Sequence, residues 1–339
     1  MKTKIPVLLA AIVAAATLLA ACGGNQASQE AAPRGETGAI LLYTSKPDAD
    51  ISSTIEGFNK FHPGVQVQVF RSGTEEVISK IYAEKEGGRI LADVLLLADN
   101  VTFERLKRDK LLMAYDSPEA ANIDGAYIDA DRMYYGTAAI SSVLVYNTNL
   151  VQTAPRDWAD MLSPQAAGRV SLASPLYSGA AAYQLGVLVK NPLFGWDYYK
   201  GLKAGRAKVG RGNGGVITDV VNGEKAYGIV LDYMANNAKK EGNPIDFVYP
   251  ESGSTVVTEP VGILASTQNP QAAKKFLDFV ISKEGQSLSS AQGYVPLHKG
   301  VAPAAGLKKV TEIKTLGADV AALYEQREQD KARFSALFQ

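Results

Sequence analysis

A two-lobed α/β fold is predicted by three features of this 339-residue chain. Short apolar strands alternate with amphipathic helices, the pattern of a largely parallel sheet. Two long extended segments, 134–147 and 255–264, break that alternation and read as crossings between lobes. Gly-, Ser- and Asn-bearing turns follow several strands and open the next helix, which puts backbone donors at strand ends.

The folded part begins near Ala39, where Ala39-Ile40-Leu41-Leu42-Tyr43 is an apolar run suited to a buried strand. Pro47-Asp48-Ala49-Asp50 opens a helix carrying Ile51, Ile55 and Phe58, and His62-Pro63-Gly64 ends it. Val65, Val67 and Val69 alternate with glutamines, the period of a strand. After Ser72-Gly73-Thr74, a helix carries Val77, Ile78, Ile81 and Tyr82 on one face, and Gly87-Gly88 stop it. Residues 93–97 form another buried strand, and the first crossing follows at 134–147. Alternation restarts with a strand at 170–173 and a helix from Ser178. Asn213-Gly214-Gly215 leads into a helix bearing Val216, Ile217, Val220 and Val221, and 226–231 is a strand. After the second crossing a helix has Asn269 as N-cap, Pro270 in first position, an apolar face through Ala273, Phe276, Leu277, Val280 and Ile281, and Gly285 as its stop. These elements divide into lobe I, 38–137 plus 264–339, and lobe II, 142–258.

The N-terminal end carries an address. Lys2 and Lys4 precede an apolar run at 7–19, and small residues lead into Cys22, the layout of a secretory signal peptide over 1–21. The run is short of the roughly 20 residues that span a bilayer. Leu19-Ala20-Ala21-Cys22 resembles a bacterial lipobox, which implies lipidation of Cys22 and a membrane anchor facing the periplasm or cell exterior. Residues 22–37 are polar, small and Pro/Gly-containing, suited to a flexible tether.

Removing the leader takes away two lysines and leaves 33 basic against 35 acidic side chains. No basic surplus points to nucleic acid, and no polybasic segment points to a lipid surface. With Cys22 lipidated, no thiol remains for a disulfide, a thiolate zinc site or a nucleophile. HExxH, GxSxG and Walker patterns are absent, and the two histidines, His62 and His298, lie far apart. The expected class is a binding protein without a cofactor and monomeric. A secreted phosphohydrolase-type enzyme is the alternative, because paired carboxylates are invisible in a sequence.

Several segments together carry a family resemblance: Leu42-Tyr43-Thr44-Ser45, Arg71-Ser72-Gly73-Thr74, Ala92-Asp93-Val94, and Ser174-Pro175 through Ser178-Gly179-Ala180. Val221-Asn222-Gly223-Glu224 and the run from Asn269 to Phe276 extend it. In order and spacing the chain resembles the extracellular solute-binding proteins of ABC importers, in the branch with ferric-ion, phosphonate and sugar-phosphate binders. The resemblance implies a type II periplasmic-binding-protein fold, a ligand cleft between two closing lobes, and delivery to a membrane permease.

Three helix starts are expected to face that cleft: Ser72-Gly73-Thr74, Ser178-Gly179-Ala180 and Asn213-Gly214-Gly215. A helix N-terminus offers unpaired N–H donors and about half a positive charge, which suits a phosphate or phosphonate. Ordinary N-capping explains any one of them alone. Asp99 and Asp232 lie at strand ends, where a carboxylate pairs a ligand ammonium or accepts sugar hydroxyls; helix capping competes for Asp99, and a turn or hinge hydrogen bond for Asp232. Ser45 and Lys46 follow the first strand, Lys46 as a countercharge, and Tyr177 and Tyr233 are candidates to cover the cleft. The leading ligand is a small zwitterion such as 2-aminoethylphosphonate, with a phosphorylated sugar close behind. Ferric ion is the second class. The resemblance then implies adjacent tyrosines after 226–231, but Met234 follows Tyr233 there, and a thioether is a poor ligand for a hard cation.

Overall fold

The computed structural model describes residues 38–339; the leader, Cys22 and the tether lie outside the described residues. β1 (Gly38–Thr44) runs parallel to β2 (Val65–Arg71) and β3 (Val94–Leu96), with α1 (Asp48–Phe61) and α2 (Thr74–Glu86) as crossovers. Ile40 and Leu42 pack on Phe58 and Phe276, while Tyr43 turns to the opposite face with Val77, Ile81 and Phe103. Both faces of this sheet are therefore covered, which is why β1 and β3 read as continuous apolar runs. α3 (Asn100–Arg108) and the short β4 (Leu112–Met113) precede β5 (Tyr134–Asn147).

The second half repeats the plan. β6 (Val170–Ala173), α4 (Gly179–Lys190), α5 (Gly195–Ala204), β7 (Lys208–Gly210), α6 (Asn213–Val221), β8 (Tyr227–Leu231), α7 (Asp232–Lys240) and β9 (Ile245–Val248) follow in order. β6 lies between β7 and β8, parallel to both. β10 (Ser254–Leu264) then returns, followed by α8 (Pro270–Ile281), α9 (Lys283–Ala291), β11 (Val295–Pro296), β12 (Thr315–Leu316) and α10 (Val320–Phe338).

The strand order is β2-β1-β3-β10-β5-β8-β6-β7. β5 and β10 are the two long segments expected as crossings. β5 pairs antiparallel with β10 up to Ser141, then with β8 and β9 from Ser142 onward. β10 pairs with β5 on one side and β3 on the other, and its register shifts between Glu259 and Pro260.

One helix limit differs from expectation. Gly285 does not stop α8. That helix ends at Ile281, and Ser282 caps α9 by accepting the Gly285 N–H at 3.2 Å. Gly285 is needed for close approach: a Cβ there would meet the Phe279 carbonyl oxygen at 2.0 Å. Tyr198 and Tyr199 are buried packing residues beside Trp158 and Phe334. The C-terminal helix α10 does not stay with one half; it lies against α3 and also against α4 and α5.

Candidate ligand-binding cleft

Strand ends from both halves border one cavity of about 300 Å³. From the first half come Ser45 and Pro47 after β1, Arg71, Gly73 and Thr74 between β2 and α2, and Ala98 after β3. From the second come residues 177–180 before and at the start of α4, 211–215 at the start of α6, and Leu231, Tyr233 and Met234 around the start of α7. The crossing strands contribute Ile140 and Glu259.

The helix starts converge as backbone surfaces. Gly73 and Gly212 precede α2 and α6, neither with a side-chain cap. Ser178 caps α4; its Oγ accepts the Ala181 N–H at 3.2 Å and the Asn213 amide at 3.1 Å. Two acceptor roles leave its hydroxyl hydrogen to donate. The walls touch directly. The Glu75 N–H donates to the Tyr177 carbonyl at 3.3 Å, and a Cβ on Gly179 would come 1.9 Å from the Ala98 carbonyl oxygen. A Cβ on Gly73 would strike Tyr177 at 2.6 Å. Glycine at 73 and 179 is thus a condition of the contact between the two walls.

Two cations stand at the rim. Arg71 donates from Nε to the Lys46 carbonyl at 3.0 Å. Arg211 lies 4.4 Å over the Tyr177 ring and reaches across the cleft to both oxygens of Glu76, at 2.7 and 2.9 Å. Beneath the floor, Lys46 is 3% exposed. Its Nζ sits 2.7 Å from Glu259 Oε2, without hydrogen-bond alignment, and 3.5 Å above the Tyr294 ring. Tyr233 stacks on Tyr294 at 4.2 Å, and burial pushes its hydroxyl well above the ordinary tyrosine range. Among the described residues no three His, Cys, Asp or Glu side chains come together as a metal-ion site.

The structure brings Ser45, Gly73, Thr74, Tyr177, Ser178, Gly179, Ala180, Asn213 and Tyr233 to the cavity. Four other expected residues stand apart from its lining. Ser72 turns its hydroxyl to Glu76, and Lys46 pairs with Glu259 below the floor. Asp99 is fully buried, accepts the Thr102 N–H at 2.9 Å as the cap of α3, and is held by Arg327 at 2.8 Å. Asp232 is equally buried and accepts from the Ser141 and Tyr233 N–H groups and the Tyr249 hydroxyl. Burial pushes its carboxyl up to about 6 against those three bonds. Asp99 thus carries out the helix capping that competed with ligand contact, whereas Asp232 is taken up by hydrogen bonds that tie the start of α7 to β5 and to Tyr249. Arg71, Arg211 and Glu259 are the charged cleft residues not among the site residues expected from sequence. A signal was present for the arginines, since each closely precedes a glycine-bearing helix start.

A sequence model of a family described as bacterial extracellular solute-binding protein matches residues 89–319. An Fe(3+)-binding periplasmic protein of Serratia marcescens is 26% identical over 328 residues, 94% of this chain and 93% of its own. A periplasmic protein of Salmonella typhimurium, provisionally named for 2-aminoethylphosphonate binding, is 24% identical over 256 residues, 71% of this chain and 72% of its own. In structure the chain is similar to the periplasmic binding protein AfuA of Actinobacillus pleuropneumoniae, solved with fructose-6-phosphate bound. The TM-score is 0.82 at 22% identity, over 89% of this chain and 99% of that one, a likeness of fold.

Proposed function

This chain belongs to the bacterial extracellular solute-binding proteins, and from that premise we propose that it captures a small phosphonate or phosphorylated solute for an ABC importer. The observation that carries this reading is the convergence of the α2, α4 and α6 starts, with Arg71 and Arg211, on one cavity. Backbone donors at helix starts and two guanidinium groups favour a compact oxyanion. A volume of about 300 Å³ is at the small end of ligand pockets. Glu259, the one carboxylate of the lining, is the group placed to meet an ammonium or sugar hydroxyl, in the role first expected of Asp99 and Asp232. Within this class 2-aminoethylphosphonate remains the best single ligand, and the names of the Salmonella relative and of the AfuA complex both fall in it.

The halves on either side of β5 and β10 act as lobes that close around the solute, and the closed form binds it better because both walls touch it. Binding rather than turnover is the proposed role. Export, lipidation at Cys22 and docking to permease subunits complete the reading, with the tether keeping a monomeric receptor close to its membrane. Ferric ion is the second reading, favoured by the presence of Tyr177, Tyr233 and Glu259, residues with hard oxygen donors, among those lining the same cavity, and by the name of the Serratia relative.

Calorimetry and thermal shift against 2-aminoethylphosphonate, inorganic phosphate, hexose phosphates and ferric citrate test the reading. The expected result is stabilisation by a phosphonate or phosphate ester, about 2.7 kcal/mol at a hundredfold excess over Kd. Ferric binding with a tyrosinate charge-transfer colour would reverse the ranking. Hydrolysis of a phosphate ester by the purified chain would replace the receptor reading with an enzyme.

A further inference from the structure

The C-terminal helix α10 is held to the two sides of the cleft by different chemistry. On the α4–α5 side the contacts are mostly apolar and close. Leu323 is buried so near α4 that a Cβ on Gly186 would come 2.7 Å from its Cδ2. Phe334 packs edge-on against Tyr199 of α5 at 5.7 Å, and Arg333 lies 4.3 Å over Trp196. On the α2–α3 side ionic contacts are added, beside Val101 of α3, which belongs to the same buried apolar cluster as Leu323. Arg327, 9% exposed, forks onto Asp99 at 2.8 and 3.3 Å and reaches Glu75 at 2.6 Å. Lys331 takes the other oxygen of Glu75 at 2.6 Å.

Those two acids stand directly behind the cavity. Glu75 follows Thr74, and its own N–H donates across the cleft to Tyr177. Asp99 follows Ala98, whose carbonyl faces Gly179 across the cleft. Both of these contacts between the walls are therefore adjacent in the chain to a carboxylate that Arg327 holds.

Walls that part must leave α10 on one side. Separating Leu323 and Phe334 from α4 and α5 would expose apolar surface to water. Separating Arg327 from Glu75 and Asp99 lets each charge regain its hydration, which offsets the lost attraction. A neighbouring cavity of about 260 Å³, bordered by Glu75, Arg105, Tyr324 and Arg327, gives water a route to these charges. The ionic side is the one that yields. We propose that α10 rides with the α4–α5 side and that Arg327 is a positioning residue of the cleft, fixing the starts of α2 and α3 in the closed arrangement. The proposal rests on the reading that the walls close around a solute. Guanidinium geometry is essential to it, because one planar fork serves two acids on different helices.

Small-angle scattering of the full chain without solute reads the open fraction, and calorimetry reads affinity for 2-aminoethylphosphonate and inorganic phosphate. Arg327→Met is expected to enlarge the radius of gyration and weaken affinity at least tenfold. Arg327→Lys, which keeps the charge without the fork, should fall between parent and Arg327→Met. The triple variant Glu75→Gln, Asp99→Asn, Arg327→Met removes the buried charges together. It is the decisive protein if Arg327→Met alone does not fold, and it should also be more open. A radius equal to the parent's in the decisive variant overturns the proposal, as does a lowered melting temperature with radius and affinity unchanged. If neither phosphonate nor phosphate binds the parent, the ligand class fails while the scattering result still decides the role of Arg327.

Discussion

Asp232 shows how burial converts a local hydrogen-bond network into a pH response. Its carboxyl, pushed up to about 6, is harder to ionise in the folded chain than in the unfolded one. The folded state therefore binds this proton preferentially. The resulting stability is fully present below about pH 4, the unfolded value, and is lost as pH rises through about 6. Asp232→Asn removes the titration and retains an acceptor for the Ser141 and Tyr233 N–H groups. Relative to the parent, the variant should gain on the order of 2–3 kcal/mol between pH 4 and pH 7. Urea unfolding at the two pH values measures the gain, and parallel stability profiles would contradict it.

Helix limits carry the next scale. Most were legible because caps and breakers act within a few residues. Asn269-Pro270, Ser178 and Gly87 mark ends that the structure shares. Gly285 was misread because a glycine that stops a helix and one that permits a tight join look alike in sequence. Only the Phe279 carbonyl, 2.0 Å from an added Cβ, tells them apart. Gly285→Ala is expected to cost about 1–3 kcal/mol, the usual effect of overpacking, by forcing α8 and α9 apart. Chemical denaturation gives the value, and a loss below a few tenths would show that the join has room to relax. The course of α10 was hidden for a different reason. Arg327 meets Glu75 and Asp99 across more than two hundred residues of chain, and no local pattern records such a pairing.

At the scale of the molecule the two long extended segments were the most legible feature, since an extended run of that length has few uses except to cross between halves. The cleft was legible in part. Glycine-bearing helix starts are local signals, but which charges join them depends on how the halves meet, so Glu259 was omitted and Asp99 overvalued. Closure itself can be tested at Gly179. Gly179→Ala places a methyl group against the Ala98 carbonyl and should hold the walls apart. Affinity for the bound solute is expected to fall tenfold or more, about 1.4 kcal/mol, with an increased radius of gyration in scattering. Unchanged affinity would mean that the walls need not meet at this point.

The place of β10 also sets an order of events during synthesis. It is inserted between β3 and β5, although both are made long before it. Until residue 254 emerges, β3 and the first half of β5 each present a bare strand edge, and a bare edge is a template for pairing with another chain. β11, the other partner of that half of β5, arrives later still. A nascent chain must therefore be kept apart from its neighbours until most of it exists, and a fragment ending before residue 254 is an aggregation hazard even though its own strands are sound.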